Sequence, residues 1–206
     1  MWSAYCGYDY PFQVDYDDQW NKIVSAFQDI CDSYPDLKIS LEYKPTDENT
    51  RFFTVPSTGA AILLMKQIDR KNFGLTIDYG HCLMAGENPA QSIASVIRLG
   101  NLFGLQLGDG YSRIGAEDGL AFGSLSYKSS LELIYWLVKG NYKGHVYFDT
   151  FPRNEDPIRE CEYNIRQFKR MYKIVLKMLK NKKIEKFMLK NDAMSMLELF
   201  EATEND

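Results

Sequence analysis

The sequence predicts an α/β fold built on a parallel sheet, and three observations predict it. Four short β-prone runs are each followed by a helix-patterned segment, the runs end close to carboxylates, and no GxGxxG fingerprint sits at a strand-to-helix turn. Strands that return in the same direction need a crossover, usually helical, so the alternation implies parallel pairing.

A helix over 15–34 opens the pattern, because Trp20, Ile23, Val24, Phe27, Ile30 and Cys31 recur at three- and four-residue spacing and Pro35 ends the run. The segment 37–43 (LKISLEY) alternates and is rich in extended-chain formers, which makes it the first strand. A helix follows over 57–70, then a buried strand over 73–77 (FGLTI). The next helix covers 88–101, with Asn88 as its cap and Pro89 at its first position. A third strand is expected over 102–107, a helix over 129–139, and a fourth strand over 145–148 (HVYF). Long and short amphipathic helices over 159–179 and 192–201 close the chain.

With 206 residues, 45% of them hydrophobic, the chain has material for one substantial core, so a single domain over 1–206 is expected. A net charge of −4 gives no reason to expect nucleic acid or an anionic membrane as partner. No apolar run reaches the roughly 20 residues that span a bilayer, and the N-terminus has no signal-peptide pattern, so a soluble, cytoplasmic protein is expected. Cys6, Cys31, Cys82 and Cys161 are scattered without metal or disulfide spacing and read as reduced, mostly packing residues.

The strands end as LEYKP, IDYGH, LQLGD and YFDTF, which puts Glu42, Asp78 and Asp149 at or just past C-terminal strand ends. In a closed (β/α) barrel that is the active face. A single carboxylate there more often caps the next helix or pairs with a lysine, but three on successive strands favour a shared divalent cation. His81, three residues past Asp78, is either a ligand or a hydrogen-bonded loop residue. Lys44 lies two past Glu42, on the same side of an extended strand. It reads either as a plain counter-ion or as an ammonium that steadies an oxyanion.

At these residues, LEYKP, IDYGHCLMAGENPAQS, LGDGYSRIGAEDGLAFGS and YFDTFPRNEDP, the sequence resembles the xylose-isomerase-like TIM barrel superfamily, and within it the bacterial sugar isomerases related to rhamnose isomerase. The resemblance covers about 1–175 and is strongest over 38–160. It implies half a barrel over 1–175, with four parallel strands and their helices, followed by a helical extension over 176–206. Strands one to four of the barrel are not represented. The metal ligands it implies are Glu42, Asp78, Asp149 and, in place of a charged ligand, Gln106. Lys44 and His81 take catalytic roles, Trp2, Glu48 and Asp118 contact substrate, and Glu117 with Asp118 lies where a second cation is held. The implied cofactor is Mn2+ or Mg2+, with Zn2+ or Co2+ as alternatives. Two departures stand out: Gln106 is neutral, and Gly108 replaces a residue that is often polar.

The expected function is a metal-dependent sugar isomerase that interconverts an aldose and a ketose, or a truncated descendant of one. A non-catalytic half-barrel assembly module is the alternative, and a metal-dependent phosphodiesterase or endonuclease fits less well, since it needs several histidines and a basic nucleic-acid path. A small sugar is the expected ligand. Two open sheet edges also call for a second chain: a homodimer, or a dimer of dimers, that covers strand 37–43 or 145–149 and completes the barrel is expected, with a separate N-terminal half as the alternative.

Overall fold

A computed structural model describes residues 1, 6–46, 51–113 and 119–205. In chain order the elements are β1 (Gly7–Tyr8), α1 (Tyr16–Ser33), β2 (Ile39–Glu42), β3 (Phe52–Phe53), α2 (Thr58–Ile68), β4 (Phe73–Asp78) and α3 (Tyr79–Met84). They continue with α4 (Pro89–Leu99), β5 (Leu102–Leu107), α5 (Tyr127–Lys139), β6 (His145–Phe148), α6 (Pro157–Leu179), α7 (Lys183–Leu189) and α8 (Ala193–Asn205).

The major helices start where short polar side chains satisfy the free amides of a first turn. Asp15 accepts from Asp18 N at 2.9 Å, Ser57 from Ala60 N at 3.2 Å, Asn88 from Ala90 N at 2.9 Å and Asp156 from Arg159 N at 2.9 Å. Gly100, at φ 79°, stops α4 in the left-handed conformation. Four elements lacked a sequence signal. The antiparallel pair β1–β3 is only two residues per strand, and α3 and α7 are too short to show a helical period. The last helix also runs on to Asn205, past the expected end at 201.

β2, β4, β5 and β6 pair in that order, all parallel. The outward side chains Leu41, Phe73, Leu75, Ile77, Leu105 and Leu107 are buried under the helices in one core. The opposite face is small and polar. Register places Glu42, Thr76, Gly104 and His145 in one row, and Asp78, Gln106 and Tyr147 in the next. Ser40 Oγ and Thr76 Oγ1 are 2.7 Å apart on this face. A Cβ on Gly104 would lie 2.6 Å from Thr76 Oγ1, so only glycine fits there.

The sheet ends differ. On the outer edge of β2 the terminal ammonium of Met1 donates to Ser40 O at 2.7 Å, and Glu42 N–H donates to Met1 O at 2.9 Å. No strand pairs with the outer edge of β6 among the described residues. Of the cysteines, Cys31 and Cys82 are in the core, Cys6 is half-buried and Cys161 is exposed; none is in a disulfide. No helix among the described residues is long and apolar enough to cross a membrane. The extension helices join the same core through Ile184 and Met196.

Candidate metal centre

Glu42, Asp78 and Asp149 come from three different strand ends and lie in three different rows of the sheet. Their carboxylate oxygens nonetheless fall within 4.8 Å of one another. The stagger of strands in a barrel-like sheet explains this, because each step across the sheet climbs along the chain. Asp78 is only 3% exposed, whereas Glu42 and Asp149 are half-buried. Three anions this close repel unless protons or a cation intervene, and hard oxygen donors of this kind suit a divalent metal.

Asp78 also does local work. Its Oδ1 accepts from His81 N at 2.8 Å and so caps α3, combining the two roles that sequence reasoning had set against each other. Asp109, at the end of β5, shows the purely structural use: buried, it accepts from the amides of Gly110, Leu125 and Ser126 at 2.8–2.9 Å.

His81 is 2% exposed. Its Nδ1 lies 2.8 Å from Tyr43 O and 3.5 Å from Glu42 Oε1. A carbonyl oxygen only accepts, so Nδ1 is the donor of that bond. Lys44 is buried.

Gln106 pairs with Asp78 in the register. Its Nε2 donates to Tyr147 Oη, and its Oε1 is buried without a partner. Whichever way the amide is turned, one of its polar atoms faces Tyr147 and the other is unsatisfied, which is costly in a finished site. Three carboxylates within 4.8 Å of one another fit a divalent cation, and the residues present therefore suit the group that the sequence implied. Gly108 has a steric reason: a Cβ there would be 2.9 Å from Asp149 O, where the ends of β5 and β6 approach.

Sequence reasoning missed Tyr147. It stands two residues before Asp149, so strand alternation puts both on the inner face, and that signal was available. Burial, followed by the negative charges of Glu42, Asp149 and Asp78, pushes its phenol up to about 12. Trp2, Glu48, Glu117 and Asp118 lie outside the described residues. A concavity of about 610 Å³ lies nearby, lined by Phe151, Asp156, Arg159 and Tyr163 among others, and includes none of the three carboxylates. A four-stranded sheet does not enclose its own inner face.

The family described as "Xylose isomerase-like TIM barrel" matches residues 6–171. The chain is 30% identical over 118 residues to xylose isomerase of Streptomyces lividans, covering 57% of this chain and 29% of that enzyme. Among solved structures it resembles an L-ribulose 3-epimerase, with a TM-score of 0.66 at 13% identity over 86% of this chain and 61% of that one. A D-tagatose 3-epimerase-like protein gives a TM-score of 0.61 at 20% identity, over 80% and 57%. The chain thus spans under a third of that curated enzyme and about three fifths of these structures. With a family match over residues 6–171 of its 206, this chain belongs to the xylose isomerase-like TIM barrel family.

Proposed function

We propose that this chain carries the metal half-site of a divalent-metal-dependent sugar isomerase, with aldose–ketose interconversion as its reaction. The observation that supports this best is the convergence of Glu42, Asp78 and Asp149 within 4.8 Å, with Gln106 next to Asp78 in the strand register. These four residues would hold Mn2+ or Mg2+. When bound, the cation supplies Lewis acidity to adjacent sugar oxygens. Lys44 offers a buried ammonium to a substrate oxygen that gains negative charge as hydrogen moves between neighbouring carbons. His81, held through its Nδ1–H, presents Nε2 to orient substrate. Trp2, Glu48 and Asp118 belong to the substrate side of the same reading.

The half-barrel needs a complement, and the helices favour one kind. α2, α4 and α5 each bridge two neighbouring strands, while α1 precedes the first strand of the sheet and α6 follows the last. If two copies closed a barrel by pairing β6 with the partner's β2, α6 of one and α1 of the other would compete for one seam. A complement that begins and ends on a strand has no such conflict, so a separate N-terminal half fits better than self-completion.

A non-catalytic assembly module remains the second reading, favoured by the neutral Gln106 and the open edge of β6. The phosphodiesterase reading is weaker, because His145 sits on the inner face one row below Gln106 and the chain has only one other histidine. The test is thermal unfolding with Mn2+ or Mg2+. A native-state ligand at a hundred times its Kd adds about 2.7 kcal/mol, roughly 5–10 °C for a domain of this size. The wild type is expected to show that rise and Asp78→Asn to lose it. No rise in the wild type favours the assembly module, and an equal rise in Asp78→Asn places the cation elsewhere.

A further inference from the structure

We infer that Glu87, which lies outside the metal cluster, is a positioning residue that acts through Tyr43 on His81 and on the Glu42–Lys44 strand end. Strand alternation explains why Tyr43 is the lever. Glu42 and Lys44 face the site, so the side chain between them points the other way, into the packing beneath α2 and α4. There Tyr43 is fully buried, and its Oη lies 2.6 Å from Glu87 Oε2, 2.7 Å from Thr58 Oγ1 and 3.1 Å from Cys82 Sγ. The backbone of the same residue supplies the carbonyl that receives His81 Nδ1–H at 2.8 Å. One residue therefore ties a buried polar network to the ring of His81.

Glu87 is held as firmly as it holds. Its Oε1 accepts from Thr58 N at 2.9 Å, and its Oε2 lies 2.8 Å from Thr58 Oγ1. Thr58 is the first residue of α2, so the carboxylate sits at a helix N-terminus, where free amides and the helix dipole favour an anion. The chain reaches this point through Gly86, whose φ of 71° makes the turn after α3, while the next residue, Asn88, caps α4. The GENP segment thus turns, anchors Tyr43 and starts a helix in consecutive residues. Burial and the nearby Cys82 and Glu87 hold the Tyr43 phenol well above its ordinary value, so it stays a donor.

Outer-sphere hydrogen bonds that orient a metal's ligands change its affinity by about 10–100-fold when removed, and Glu42, next to Tyr43 in the chain, is the proposed ligand that this network holds. Only the affinity part of the following test rests on the metal-site reading. Using the whole chain, Mn2+ affinity is measured by calorimetry, the His81 ring nitrogens by long-range 1H–15N NMR, and Tm by calorimetric scanning. Glu87→Ala and Tyr43→Phe should each weaken Mn2+ about 10–100-fold and move the His81 Nδ1 resonance. The double variant should cost little more than either single one, because both break one chain of bonds. Glu87→Gln, which keeps one acceptor oxygen for Tyr43 O–H but turns an amide N–H toward Thr58 N–H, should recover part of the affinity and of the His81 signal. If Glu87→Ala and Tyr43→Phe lower Tm but leave the His81 resonance and Mn2+ affinity unchanged, the network is structural only and the inference is overturned. If the wild type binds no Mn2+, the metal reading falls, and the His81 resonance alone decides: moved upholds the positioning role, unmoved overturns it. Should Glu87→Ala not fold, Tyr43→Phe and Glu87→Gln carry the same comparison.

Discussion

The two sides of the carboxylate cluster are built to different standards. On the β2–β4 side, Asp78 is tied to the start of α3, His81 to a backbone carbonyl, and Tyr43 to a buried network that includes Glu87 and Thr58. On the β6 side, Asp149 and Tyr147 stand on a strand whose outer edge has no neighbour among the described residues, and Tyr147 is 37% exposed. The first side is tied down by hydrogen bonds to neighbouring elements, while the second stands at the edge of the described sheet.

The contrast between the outer and inner faces of the sheet gives the largest expected effect. Leu105→Ala on the outer face should cost about 2–5 kcal/mol in urea denaturation, through lost burial and a cavity. Ser40→Ala on the inner face should cost at most about 1 kcal/mol, the worth of one hydrogen bond. Equal losses would mean that the inner face is already packed.

Next in size is an edge test. Asp149 N–H bonds to Leu107 O, so by alternation the amides of Val146 and Phe148 point to the open edge. Val146→Pro removes an outward donor and should lower the stability of this chain modestly, by about 1 kcal/mol from lost packing. It should prevent association with a strand-bearing complement, as read by light scattering of the mixed halves. Unimpaired association would place the complement on another surface.

The smallest effect concerns pH. Tyr147 has a folded-state value of about 12 against an ordinary 10.0, so the native state keeps its proton where the unfolded chain loses it. The sign follows from proton linkage: its contribution is fully present below pH ~10 and is lost as pH rises toward 12. Tyr147→Phe should flatten the fall in stability between pH 10 and 12, on top of a pH-independent loss of about 1–3 kcal/mol for the Gln106 hydrogen bond. An unchanged alkaline slope would assign the loss to other buried groups such as Tyr142 or Cys82, both also pushed up to about 12 by burial.

A further lesson concerns what local pattern carries. The Asn88 cap and the four strands of the parallel sheet were legible because capping chemistry and apolar period are local properties. Glu42, Asp78 and Asp149 were legible as strand-end carboxylates for the same reason. α3 escaped notice because six residues hold less than two turns, and β1–β3 because a two-residue strand is defined by its partner.

By itself, then, the sequence determined the order of the main strands and helices, the parallel pairing of the four-stranded sheet, the acidic strand ends and the family to which they belong. Only the tertiary structure decided that Asp109 serves amides while Asp78 both caps a helix and joins the cluster, that Tyr147 walls the site, and that Glu87 reaches Tyr43 from 44 residues away. The physical reason is range. Propensity, capping and periodicity act within a few residues along the chain, whereas the stagger of strands and the shape of a buried polar network depend on how distant segments pack.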